Sequence, residues 1–210
     1  YQIPWGSEEN LKGTIDLLKM KAYTFEGEMG MKVVECEIPE ELKATAQKYH
    51  DELVERIVEH DDAQMSAYLE GVIPSYEELQ KTLRKAVIAN EIFPVMTGSA
   101  LKNMGVQLVL DAVVDYLPSP VDLPPVKGIN PNTDEEETRE ATDEAPFCAL
   151  AFKLQTDPFV GQLTFFRVYS GTIKAGSYLY NATTGEKERL GRIVRLQADK
   201  RTEIEEVYAG

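Results

Sequence analysis

Apolar and polar positions change rhythm along this chain, and each change predicts a different kind of element. From Ile3 to Tyr23, a short apolar run, a glycine-containing turn and a second apolar run (Thr14, Ile15, Leu17, Leu18, Met20) predict extended segments. Val33-Val34-Glu35-Cys36-Glu37-Ile38 predicts a further strand. Pro39, Glu40 and Glu41 then open a helix, because proline suits the first turn and acids suit the positive end of the dipole. Leu42, Ala46, Tyr49, Leu53 and Ile57 recur at spacings of four or three, one apolar stripe on a helix of roughly five turns. Its other side carries Asp51, Glu52, Glu55 and Glu59. A shorter helix starts at Asp61-Asp62, runs from Ala63 to Leu69 and stops at Gly71. Ser75-Tyr76-Glu77-Glu78 is a capping box leading into Leu79, Leu83, Ala86 and Val87.

The next stretch, Ile92-Phe93-Pro94-Val95-Met96, predicts an apolar strand, with Pro94 placing it at an edge. The loop Thr97-Gly98-Ser99-Ala100 follows it. A helix then carries Val106, Val109, Leu110, Val113 and Leu117 on one face and is stopped by Pro118 and Pro120. Such a strand–loop–helix unit belongs to an α/β domain, and α/β folds place ligands in loops at the C-terminal ends of strands. Residues 118–146 hold six prolines and the acidic run Asp134-Glu135-Glu136-Glu137, the composition of a linker or strap. Beyond it the pattern alternates: Cys148, Leu150, Phe152 and Leu154 share a face, then Leu163 to Tyr169, with turn signals at Ser170-Gly171, Ala175-Gly176 and Thr184-Gly185. Short strands at this spacing predict a small all-β barrel or sandwich.

Charge divides the chain in a similar way. Residues 1–146 carry 13 Lys/Arg against 29 Asp/Glu, and residues 147–210 carry 9 against 7, so the formal charge of −14 lies in the first part. The acidic part disfavours nucleic acid and favours a basic protein surface, whereas the near-neutral part is able to sit on a phosphate backbone. No run of about 18 apolar residues is present, which argues against a membrane-spanning helix. The start at Tyr1-Gln2-Ile3-Pro4-Trp5 has no basic n-region or cleavable apolar stretch, so a cytoplasmic protein cut from a longer chain is expected. Cys36 and Cys148 match no metal or redox spacing and read as ordinary reduced thiols.

Catalytic chemistry finds little support in these residues. The only glycines in phosphate-loop spacing, Gly171 and Gly176, lack the lysine that should follow the second, and the stretch reads as a hairpin between strands. No Asp-x-x-Gly and no Asn-Lys-x-Asp occurs. His50 and His60 stand ten apart on a helix, too far for one metal, and read as solvated surface residues. Neither a catalytic residue nor a metal ligand is assigned.

Longer stretches carry a resemblance. Met96-Thr97-Gly98-Ser99-Ala100-Leu101-Lys102-Asn103, Gly105-Val106-Gln107-Leu108 and Asp115-Tyr116-Leu117-Pro118-Ser119-Pro120 resemble the end of the GTPase domain in the elongation factor G family of bacterial translational GTPases. Asp157-Pro158-Phe159-Val160-Gly161-Gln162-Leu163-Thr164-Phe165-Phe166-Arg167-Val168-Tyr169-Ser170-Gly171 and Ser177-Tyr178-Leu179-Tyr180-Asn181 resemble the opening of that family's second domain. Gly13-Thr14-Ile15-Asp16-Leu17, with the long acidic helix, is similar to its inserted G′ subdomain.

The resemblance implies a multi-domain α/β plus all-β chain. An α+β G′ subdomain is expected over residues 1–90 and the C-terminal strand and helix of a P-loop GTPase domain over 91–121. A Pro-rich acidic linker (122–145) and an incomplete translation-factor β-barrel (146–210) complete it. It implies that Gly98, Ser99, Ala100 and Leu101 form the guanine-base loop, with the Ala100 N–H donating to O6 and Ser99 bracing the turn. Adenine, with a donor at the matching position, would leave that N–H unpaired. One or two such bonds contribute roughly 0.5–1.5 kcal/mol each, against about 4 kcal/mol for millimolar affinity, so this loop alone should not hold nucleotide. The family's phosphate loop, switches and Asn-Lys-x-Asp are expected to precede Tyr1, and its remaining barrel strands to follow Gly210. GTP and Mg²⁺ therefore belong to the parent GTPase and neither to this chain, which is expected to be inactive alone. The parent promotes translocation of tRNA and mRNA on the ribosome. Expected partners are the ribosomal stalk protein, through Glu52, Glu55 and Glu59, and small-subunit ribosomal RNA, through cations among Arg167, Lys187, Arg189, Arg192 and Arg195. The unfinished barrel leaves an edge, so residues after about Arg201 are expected to be mobile or to pair with a second copy. Apolar surface over residues 91–117 is a second route to self-association. A tetracycline-resistance protection protein or release factor three is the alternative source. A self-standing acidic binding module would leave the ordered match unexplained.

Overall fold

Four short segments at the start of the chain pair into one antiparallel sheet in the order β1 (Gln2–Trp5), β2 (Gly13–Asp16), β3 (Lys21–Glu26) and β4 (Lys32–Cys36). The computed structural model describes residues 1–131, 133–157, 161–198 and 200–210. Gly13 lies opposite Thr24, and a Cβ there would stand 2.0 Å from the Tyr23 carbonyl oxygen, so close pairing of β2 with β3 requires glycine. β3 has no counterpart in the sequence reading, because Lys21-Ala22-Tyr23-Thr24-Phe25 lacks a clean alternation.

Helix α1 (Glu40–Val58) follows, with Pro39 at its N-terminal boundary. Ala46, Val54, Ile57 and Val58 are buried, while Asp51, Glu52, Glu55 and Glu59 are exposed. The expected stripe is thus rotated: Val54 and Val58 are in the core, and Tyr49 is 41% exposed. Helix α2 (Asp62–Leu69) is capped by Asp61, whose carboxylate accepts from the Ala63 and Gln64 N–H groups. Helix α3 (Tyr76–Ile88) has the full capping box of Ser75 and Glu78. Leu79, Leu83 and Val87 pack with Leu18, Val54, Ile57, Val58 and Tyr116 in one cluster. Each such aliphatic side chain, fully buried, contributes about 1.5–3 kcal/mol.

Residues 92–98 do not form the expected strand. A ladder needs repeated main-chain bonds, and here the segment accepts one, from Gln2 N to Val95 O at 3.4 Å. Helix α4 (Val106–Tyr116) is held to α3 by the Arg84 guanidinium, which donates to the Asp115 carbonyl oxygen at 2.6 Å. Of its expected apolar stripe, Val109, Leu110, Val113 and Leu117 are exposed and Val106 is half-buried, and Tyr116 alone of the helix is buried.

Residues 1–117 and 118–210 form two compact units. In the second, part of the expected linker is a hairpin, β5 (Val126–Ile129) with β6 (Glu136–Arg139), joined by the ion pair of Lys127 with Glu136. The end of the acidic run therefore enters a strand, with Glu136 paired across the hairpin to Lys127 and Glu137 paired along the strand to Arg139. β7 (Cys148–Asp157) pairs with β8 (Gly161–Ser170), with register shifts at Cys148/Ala149 and Ala151/Lys153. Of the residues expected to share a face, Leu150, Phe152 and Leu154 are more than half exposed and Cys148 is half-buried. β9 (Ile173–Lys174) pairs with β14 (Glu206–Val207), β10 (Tyr178–Asn181) with β11 (Glu186–Arg189), and β12 (Ile193–Gln197) with β13 (Lys200–Ile204). The Gly171–Gly176 stretch thus leads into a strand paired with the chain's end rather than making a hairpin with β8. Residues after Arg201 are paired within the chain as well, and Gly210 N donates to Val168 O at 3.1 Å. Antiparallel pairing throughout agrees with the expected β-rich C-terminal part of a mixed α/β chain.

Candidate functional site

The loop after residue 97 is closed by two main-chain bonds. Ser99 N donates to Met104 O at 2.8 Å, and Met104 N donates to Ser99 O at 2.9 Å. Inside this bridge, Asn103 N donates to Ala100 O at 3.2 Å and Lys102 N to Ser99 Oγ at 3.4 Å. Gly98 is required, since a Cβ there would lie 2.4 Å from the Met104 carbonyl oxygen. The N–H groups of Ala100 and Leu101 have no acceptor among the described residues, and Leu101 is 91% exposed. The four residues singled out in the sequence, Gly98, Ser99, Ala100 and Leu101, thus share one tight turn that presents two free donors. This suits the acceptor edge of a planar base.

On α1, Glu52 and Glu55 stand at the rim of a shallow cleft of about 320 Å³ formed with Tyr1, Leu17, Tyr49, Leu53 and Arg56. Glu52 is paired with Lys48 at 3.8 Å and Glu59 with Arg56 at 3.4 Å, whereas Glu55 has no ion-pair partner among the described residues. Glu59 lies outside the cleft. Both histidines have partners: half-buried His50 has its Nδ1 2.6 Å from Leu17 O, and exposed His60 has its Nδ1 2.8 Å from the Glu91 carboxylate.

In the second unit Arg167, Lys187, Arg189, Arg192 and Arg195 are all exposed. They do not converge. Arg167 stacks over the Tyr169 ring at 5.6 Å and lines a cleft with Pro120, Pro124, Pro125 and Arg139. Lys187 and Arg189 lie on β11 directly opposite Tyr180 and Tyr178 of β10. Alternation puts these four side chains on one face of the hairpin, and Glu186 and Glu188 on the other with Asn181 and Leu179. Tyr178 is 70% and Tyr180 49% exposed. The sequence Glu-Lys-Glu-Arg hides this sorting of charge by face.

A buried carboxylate escaped the sequence reading. Asp16 ends β2 at 4% exposure, and its Oδ1 accepts from Leu18 N at 2.9 Å and Lys19 N at 2.8 Å. Burial raises its pKa above the ordinary value, and those backbone bonds and the Lys19 charge only partly offset the rise. Among the described residues no group of three or more His, Cys, Asp or Glu side chains comes together for a metal ion. Nor is any described helix long and apolar enough to cross a membrane.

Comparison with known proteins bears on the second unit first. Residues 146–210 match the family model for elongation factor G domain 2. The stretches 157–171 and 177–181, which carried the resemblance, fall inside that match, although Pro158, Phe159 and Val160 lie outside the described residues. The whole chain is similar to a crystal structure of a Thermus thermophilus protein, at 29% identity and a TM-score of 0.73. The likeness covers 100% of this chain and 28% of that one, so this chain spans little more than a quarter of its length. Residues 146–210 therefore carry the second-domain signature of elongation factor G.

Proposed function

We propose that this chain is a non-catalytic, ribosome-contacting part of a translocase of the elongation factor G type. The observation that carries the reading is the match of residues 146–210 to that factor's second domain. The free N–H groups of Ala100 and Leu101 support a role in holding the guanine base. In the parent GTPase they would meet the acceptor edge of guanine and leave adenine with an unpaired donor opposite. The residues present fit the base and not the rest of the ligand, since no phosphate-loop sequence occurs. The triphosphate, its Mg²⁺ and the hydrolytic step belong to other parts of such a GTPase. The exposed acids of α1 would meet the stalk protein, and the Lys187 and Arg189 face of the β10–β11 hairpin would meet small-subunit ribosomal RNA, both in the cytoplasm.

A fluorescent-GDP titration, paired with co-sedimentation on ribosomes, tests this reading. Sedimentation with ribosomes and no nucleotide saturation up to high micromolar concentration are expected. Saturable guanine-specific binding at low micromolar concentration would mean a complete nucleotide site and overturn the non-catalytic assignment. Failure to sediment would remove the ribosomal one.

A further inference from the structure

The candidate base loop does not stand by itself. The turn between β3 and β4, Gly27-Glu28-Met29-Gly30, reaches it from the sheet. Asn103 Nδ2 donates to Met29 O at 3.0 Å, and Gln107 Nε2 donates to Gly30 O at 3.1 Å. Gln107 makes that bond while its own Oε1, buried, has no partner among the described residues, so the favourable half of its amide is the half that grips the turn. Main chain also approaches main chain. A Cβ on Gly30 would lie 3.0 Å from Asn103 O and 3.1 Å from Lys102 O, and Gly30 has φ +61, a left-handed conformation natural to glycine. Lys102 is tied separately, its Nζ donating to Glu9 O at 3.4 Å.

We infer that the Met29–Gly30 turn is a strut that positions the Ala100 and Leu101 N–H groups, with Gly30, Asn103 and Gln107 as positioning residues for the base loop. The loop has only its two bridge bonds and the short bonds within it to fix its shape. It is therefore held from outside at Asn103, next to the bridge residue Met104. A donor pair that reads a base must keep its direction to a fraction of an ångström, and such precision comes from a second layer of contacts. The inference rests on the base-loop reading for its purpose, though the strut itself can be tested without any ligand.

The test is amide exchange followed by NMR on the 210-residue chain. Gly30→Ala pushes a methyl group against the Lys102 and Asn103 carbonyls. Asn103→Asp keeps a residue that tolerates the left-handed φ of 51 but removes the donor to Met29. Gly71→Ala is the control, because Gly71 has φ +89 with nothing within 4 Å, so it adds backbone strain without a push on any neighbour. Expected for Gly30→Ala and Asn103→Asp is a rise of roughly 5- to 10-fold in exchange at Ser99 and Met104, with the core of α3 unchanged, as for a local opening. Gly71→Ala should leave both amides at the wild-type rate. Unchanged exchange in both strut variants, or an equal rise in the control, overturns the strut. A second arm follows the Ala100 and Leu101 cross-peaks in tens of millimolar guanosine monophosphate or adenosine monophosphate. A guanine-selective shift that shrinks in Gly30→Ala supports positioning, and an undiminished shift there overturns it. No guanine response in the wild type removes the base-loop reading and leaves the strut to be decided by exchange.

Discussion

Tyr116 donates its hydroxyl hydrogen to the Tyr1 hydroxyl oxygen at 3.2 Å, and the two rings meet edge to face with centroids 5.6 Å apart. Tyr116 is 2% exposed and is the one buried residue of a helix in which Val109, Leu110, Val113 and Val114 are exposed, so this contact helps to anchor α4. Tyr116→Phe removes the bond and keeps the ring, and is expected to lower unfolding stability by about 1 kcal/mol. Tyr116→Ala also removes the ring and is expected to cost about 3–5 kcal/mol. Urea unfolding distinguishes them, and equal losses would show that the hydroxyl bond, not ring packing, holds the helix.

Asp16 should make stability depend on pH in the sense opposite to a salt-bridged aspartate. Its folded pKa is raised by burial, so its contribution is fully present below the unfolded value of about 3.9 and is lost as pH rises through the folded value. Asp16→Asn keeps an acceptor for the Leu18 and Lys19 N–H groups and removes the charge. The variant is expected to raise the thermal midpoint at neutral pH and to lose that advantage near pH 3, where the native carboxyl is also neutral. A gain that stays constant across this range would show that the buried charge is not the cause.

The face of β10–β11 with Tyr178, Tyr180, Lys187 and Arg189 combines stacking surface with phosphate partners. Lys187→Glu with Arg189→Glu is expected to weaken binding to a small-subunit ribosomal RNA fragment and to reduce the salt slope of affinity by about 1.4, for two single-strand phosphate contacts. Fluorescence anisotropy across a salt series measures both. Glu186→Gln with Glu188→Gln, on the opposite face, should leave the slope unchanged. A slope indifferent to the cations would place the RNA contact elsewhere.

Glu55 has no ion-pair partner among the described residues, and Glu52 shares its cleft. Glu52→Lys with Glu55→Lys is expected to reduce affinity for the stalk protein's C-terminal domain by about tenfold or more, from two reversed charges at an interface. Helix content should stay the same, since both positions are exposed. Calorimetric titration that shows equal affinity would remove α1 as the docking surface.

Local rules wrote part of this fold directly into the order of residues. The capping box at Ser75 and Glu78, the cap at Asp61, the extent of α1 and the β-rich tail follow from short-range hydrogen bonding and periodicity, which neighbours in sequence decide. The turn from Gly98 to Leu101 was also legible, because ordered motifs mark it. Which apolar residues are buried, and which elements meet, depends instead on packing between distant segments. The α4 stripe from Val106 to Leu117 reads as one apolar face, yet all of it but half-buried Val106 is exposed, since periodicity shows that a helix has an apolar side and not what covers it. Residues 92–96 read as a strand but, among the described residues, make a single ladder-like bond, because a strand exists only with a partner in register. Asp16 sits among apolar neighbours, yet its burial and raised pKa come from packing between distant segments. The approach of Gly30 to Asn103 spans 73 residues of sequence, and no local pattern encodes a contact made by two backbones across that separation.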